Sequence, residues 1–132
     1  MSVKEKLAKF KEIDGFMGVA VFTPSGESLA QLEDPSSHLN LKEVGILSNN
    51  VLMNAQKAAL EMGAGKGEFI HIISDRAHVL VRCYNEGTDP LTSQPGRAHI
   101  HLVLVLKDES GVGLAKMRIK SIVQSVAQDF RM

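Results

Sequence analysis

The chain has one cysteine, Cys83, no tryptophan and a single tyrosine in its 132 residues. One thiol forms no internal disulfide and supplies no four-thiol zinc site, so a reducing compartment is the simplest reading. So few flat aromatic rings leave little to stack on nucleic-acid bases. Net charge is lacking too: 15 Lys and Arg balance 15 Asp and Glu. That balance removes any general electrostatic attraction to nucleic acid or to an anionic membrane. The longest unbroken apolar run, Leu102 to Leu106, is far too short to span a bilayer. The charged N-terminus, MSVKEKLAKFKEIDG, has no apolar stretch of the signal-peptide kind. No nucleic-acid partner, no membrane insertion and a cytoplasmic location are therefore expected. What is present is an ordinary globular balance, 44% apolar and 23% charged, which argues against disorder and suits one domain over 1–132 with a real core.

Periodicity divides the chain into elements. Val3, Leu7, Phe10 and Ile13 share one helical face, and Gly15 can stop that helix. Segments 16–23 and 27–33 flank the turn residues Pro24, Ser25 and Gly26 and predict a hairpin. Asn40 with Glu43 resembles a capping box that opens a long helix reaching Met62. That helix carries two stripes. Val44, Leu47, Val51, Ala55, Ala58 and Met62 form one; Ile46, Asn50, Met53, Lys57 and Leu60 form a second, mixed one. A helix of this kind can contact its own sheet on one side and a partner on the other. The runs EFIHIIS and AHVLVRCY, joined through Asp75 and Arg76, predict a second hairpin, and AHIHLVLVL a fifth strand. Between them 85–97 is a long loop, above the usual connection length. Val112, Ala115, Ile119, Ile122, Val126 and Phe130 mark a last helix. The order α-β-β-α-β-β-β-α implies an α+β fold: a three-layer sandwich with a five-stranded antiparallel sheet and helices on both faces.

This order, together with GFMGVAVFTPSGESLAQL, the long helix and GEFIHIISDRAHVLVRCY, resembles the roadblock/dynein-light-chain family. Gly15 to Leu32 and Gly67 to Tyr84 match the family's pieces, and loop 85–97 is longer than the usual connection there. The resemblance implies a profilin-like, roadblock-type layered fold without catalytic residues or cofactor. It also implies a homodimer, in which the third strand pairs with its copy and the long helices pack beside it. The interface would then draw on Phe69, Ile70, His71, Ile72 and Ile73, with Ile46, Asn50, Met53 and Leu60 from the helix. Physics points the same way, because an uncovered apolar edge strand is an aggregation hazard. The family's bacterial and archaeal members often stand beside small Ras-like GTPases as regulators or scaffolds, and its eukaryotic members assemble on dynein or on GTPase platforms. A non-enzymatic adaptor, with itself and a small Ras-like GTPase as partners, is the expectation.

Each of the other candidate sites has a plainer reading beside it. His99 and His101 lie two apart, so on a strand they share a face, as metal ligands must. No acidic residue flanks them within the strand, and His71 is expected two strands away. Two imidazoles alone do not make a site, so hydrogen-bonded strand histidines are the plainer reading; a metal-binding sensor or enzyme is the rival. HIHLVLV also resembles the motif of the histidine-triad nucleotide hydrolases, but Val103 stands in its third place. GAGKG, 63–67, lacks the Ser or Thr of a phosphate loop and runs from helix to strand, which suits a helix C-cap. Cys83 reads as core packing. A ligand-sensing module of profilin-like fold is a third possibility, which an apolar pocket between the sheet and the first and last helices would favour.

Overall fold

The computed structural model describes residues 1–131. Its elements are α1 (Val3–Leu7), β1 (Phe16–Phe22), β2 (Ser28–Glu33), α2 (Leu41–Glu61), β3 (Phe69–Ile73), β4 (His78–Asn85), β5 (His99–Leu106) and α3 (Val112–Ala127). The five strands form one antiparallel sheet in the order β2-β1-β5-β4-β3. The expected α+β, three-layer arrangement is therefore the one found, with strand ends within a residue or two of those read from the sequence.

The central strand is β5, and every one of its residues is buried. Its even-numbered side chains, Ile100, Leu102, Leu104 and Leu106, pack under α1 and α3 with Leu7, Phe10, Ile13, Ile119, Val123 and Val126. Its odd-numbered Val103 and Val105 face α2 and pack with Phe22, Leu41, Leu52, Val81 and Cys83. A period of two along one strand thus feeds two cores.

Local chemistry sets the element ends. Ser2 and Glu5 form a reciprocal capping box at α1, an end signal additional to those expected. Asn40 caps α2 as expected, its side chain accepting from the Glu43 N–H at 3.2 Å. Beyond the Met62 C-cap, Gly63 takes φ +77°, a left-handed conformation that glycine adopts without steric cost. The GAGKG segment is thus a helix terminator. The apolar run from Val3 to Ile13 is not one helix: α1 ends at Leu7 and tightens into a 3-10 helix, Ala8–Glu12. Leu7, Phe10 and Ile13 are buried all the same.

The two stripes of α2 are corrected by the structure. The residues turned to the sheet are Leu41, Gly45, Ser48, Asn49, Leu52 and Gln56, small or polar for the most part. Leu47, Val51 and Met62 of the first expected stripe face solvent. The sheet beneath explains this. It presents bulky Phe22 and His101 on this side, Phe22 lies 3.5 Å from where a Gly45 Cβ would stand, and small side chains let the helix axis come close.

Candidate functional site

Two features outside the ordinary core stand out, one on the surface and one buried. The surface feature combines α2 with the β3 edge. β3 ends the sheet and pairs only with β4, so its outer row of backbone groups is open. Phe69 packs against the α1/α3 core and Ile70 against the α2 core, while His71 and Ile72 are half-buried and Ile73 is 72% exposed. On α2, Ile46 is 43%, Leu47 58% and Val51 46% exposed, with Leu60 also open. Asn50 is exposed and Met53 half-buried. Of the nine expected interface residues, Ile46, Asn50, Leu60 and Ile73 thus lie on exposed surface, and Met53, Phe69, Ile70, His71 and Ile72 are half-buried. Leu47 and Val51, members of the first stripe, join the exposed ones. His71 Nε2 stands 2.9 Å from His78 Nδ1, and burial, followed by the charge of Lys116, pushes the His71 pKa below the usual histidine value.

The buried feature lies under α2. Cys83 of β4 is the cross-strand partner of His101 on β5, and His99 is two residues further along the same face. One donor atom from each of the three lies within 4.8 Å of the other two. The Cys83 Sγ is 3.6 Å from His99 Nε2. The Nδ1 atom of each histidine is occupied. His99 Nδ1 is 3.2 Å from the Thr92 carbonyl oxygen and 3.4 Å from the Ser93 hydroxyl. His101 Nδ1 is 2.8 Å from Asn49 Oδ1, while the Asn49 amide donates to the Pro24 carbonyl at 2.8 Å. His101 is 0% exposed and packs edge-on against Phe22. Its Nε2 is the one buried side-chain nitrogen or oxygen without a partner among the described residues. Such an orphan costs roughly 1–3 kcal/mol. Burial pushes the His101 pKa down to about 3 and the Cys83 pKa up to about 11, so imidazole and thiol are both neutral.

The third donor absent from the sequence pattern is therefore Cys83, whose expected role is core packing. Sequence reasoning misses it because Cys83 and His101 are 18 positions apart and meet only through the β4–β5 register. Asn49 is missed as well. Its signal is the run of small or polar residues at helical spacing, Gly45, Ser48, Asn49 and Gln56, which the apolar stripes overshadow.

Loop 85–97 covers this end of β5. Glu86 anchors it by accepting from the Ala98 N–H at 2.8 Å and from Arg131 at 2.9 Å through each carboxylate oxygen. These contacts, Arg131 first, hold the Glu86 pKa down at about 2. Asn85 donates to the Asp89 carbonyl, and Gln94 spans the loop to Thr88. Core side chains pack between the sheet and α1 and α3, and a cleft of about 310 Å³ opens at the end of this layer beside Leu29, Ile100 and Phe130. A second cleft, of about 420 Å³, is lined by Lys6, Lys9, Glu12, Arg118, Ser121 and Ser125 beside Ile122. Its lining residues are charged or hydroxyl-bearing apart from Ile122. Among the described residues no helix is long and apolar enough to cross a membrane.

No protein-family model matches the sequence, and no curated protein matches it. Solved structures do. The gliding protein MglB from Thermus thermophilus superposes with a TM-score of 0.75 at 18% identity, covering 96% of this chain and 86% of that one. A structure of MglB in a tetrameric arrangement gives 0.76 at 18% identity, over 96% and 85%. A roadblock/LC7 domain from Streptomyces avermitilis gives 0.71 at 12% identity, over 91% and 89%. The fold is that of the roadblock/LC7 proteins.

Proposed function

We propose that this chain is a non-enzymatic homodimeric adaptor of roadblock type whose protein partner is a small Ras-like GTPase. The observation that carries the reading is the accessible surface made by the open β3 edge and the apolar α2 side chains Ile46, Leu47 and Val51. A monomer that leaves an apolar strand edge and an apolar helix stripe uncovered is prone to aggregate, and a second copy covers both at once by a two-fold axis. The tetrameric arrangement of a structurally similar MglB supports self-assembly. The GTPase rests on the family resemblance, and fold does not by itself fix function.

Such a dimer acts by contact. It presents a symmetric helix-and-sheet surface that binds one nucleotide state of a GTPase better than the other and so shifts the switch-segment population. Titration of the purified protein against Ras-like GTPases of the same organism, each loaded in turn with GDP and a non-hydrolysable GTP analogue, tests the partner. The expected outcome is tighter binding of one state by roughly 10-fold or more. Equal binding to both states would remove the switch bias and leave a scaffold, and absent binding to both would remove the GTPase and leave the dimer.

A further inference from the structure

We infer that Cys83, His99 and His101 form a metal-binding site under α2 that takes a borderline-soft divalent cation, zinc(II) being the best match. The inference starts from the register. Because Cys83 faces His101 across the β4–β5 ladder and His99 lies two residues along, all three side chains point to one side of the sheet. Three donors converge within 4.8 Å. Tetrahedral zinc with one thiolate and imidazole nitrogens places sulfur and nitrogen about 3.5 Å apart. The Cys83 Sγ to His99 Nε2 separation is 3.6 Å, so this edge of the tetrahedron is already set.

The tautomers point to a ligand as well. A carbonyl oxygen only accepts, so the contact with Thr92 places the His99 proton on Nδ1 and leaves its Nε2 a lone pair facing Cys83. Asn49 Oδ1 is turned to His101 because the Asn49 amide is committed to the Pro24 carbonyl, so His101 carries its proton on Nδ1. His101 Nε2 is then a second bare lone pair, fully buried and unpartnered. Two histidines with their Nδ1–H groups fixed on carbonyl-type oxygens, one Nε2 unpartnered and the other met only by the Cys83 thiol, is an arrangement that orients imidazoles on a metal. Sulfur with two imidazoles selects zinc or a similar cation over magnesium or calcium, which prefer oxygen.

On binding, the thiol S–H bond breaks, its proton leaves to solvent, and the sulfur electron pair forms the bond to the metal; no electron is transferred. The imidazoles are neutral beforehand and lose nothing. The ion reaches Cys83 through a small opening of about 70 Å³ lined by Gln56, Lys66, Gly67, Glu68, Asn85 and Pro90. Once bound it would cross-link β4 and β5, loop 85–97 through Thr92, and α2 through Asn49.

Cobalt(II) titration of the chelator-treated, full-length protein tests this. One cobalt per chain is expected, with a thiolate-to-cobalt charge-transfer band in the near ultraviolet that one equivalent of zinc(II) abolishes. Cys83→Ser loses the band while keeping its circular dichroism, and Asn49→Leu, which removes the outer acceptor of His101, binds roughly 10–100-fold more weakly. His71→Gln removes the other histidine pair and leaves the band intact. For any variant that does not fold, the wild-type melting temperature decides: zinc at one equivalent raises it. Absence of a band and of a melting shift in the wild-type protein overturns the site, as does a band lost in His71→Gln but kept in Cys83→Ser.

Discussion

At the scale of single residues, this protein uses polar side chains to fix parts that apolar packing leaves loose. Glu86 is the clearest case, because both carboxylate oxygens face Arg131 and one also holds the Ala98 N–H, closing loop 85–97 onto the last residues of the described chain. Its pKa falls from 4.5 to about 2 in the folded state. A depressed carboxylate contributes stability that is present above the unfolded value and lost as pH falls through the folded one. Glu86→Gln is therefore expected to lower stability by about 1 kcal/mol at neutral pH, the scale of a well-aligned but partly exposed pair. The difference from wild type should shrink as pH falls from 4.5 towards 2. Urea unfolding at a series of pH values measures it, and a difference constant across that window would show that Glu86 acts by shape alone. The same residue-scale logic governs His101, whose buried position is tolerable because Asn49 meets one ring nitrogen.

At the scale of elements, α2 shows how packing overrides pattern. Its most apolar stripe faces out and its small, polar stripe faces in, because the sheet beneath it presents Phe22 and His101. Gly45 sits in the helix interior with ordinary contact distance to Phe22 where a Cβ would go. Gly45→Ala should therefore stabilise by up to about 1 kcal/mol, the helix propensity gained. Gly111, just before α3, is the contrasting position. A Cβ there would collide with the Asp14 carbonyl and the Ile13 side chain, and Gly111→Ala should cost about 1–3 kcal/mol as overpacking. Thermal melts of the two variants, moving in opposite directions, check both. The split of the first apolar run into α1 and a 3-10 helix belongs to this scale too. The sequence spacing marks the correct buried residues, Leu7, Phe10 and Ile13, without revealing the tightening that lets them reach the same core.

At the scale of the whole molecule, the proposed assembly rests on the open β3 edge. Ile72 is half-buried, so a charge there would disturb folding as well as assembly, whereas Val51 and Ile73 are exposed at 46% and 72%. Val51→Asp with Ile73→Asp is expected to leave the monomer fold and its circular dichroism intact while abolishing the dimer in light scattering. A double variant that stays dimeric would place the interface elsewhere. The expected strand residues Phe69 to Ile73 and helix residues Ile46, Asn50, Met53 and Leu60 are joined in this test by Leu47 and Val51, which only the three-dimensional arrangement brings to the surface.

The sequence by itself determined the layers. Alternation in β5, turn residues at Pro24 to Gly26, the Asn40 cap and the glycines after Met62 are local signals, read within a few residues of where they act. They established element order, strand content and therefore the α+β layered sandwich, to which the family resemblance added the roadblock type. Relations between distant residues were decided by the tertiary structure alone. Which stripe of α2 meets the sheet depended on the bulk of Phe22 and His101 opposite it. Whether His99 and His101 had a third donor depended on the β4–β5 register that sets Cys83 across from His101. A strand pairing slipped by one residue would turn Cys83 to the other face, and nothing in the local pattern of either strand records that register.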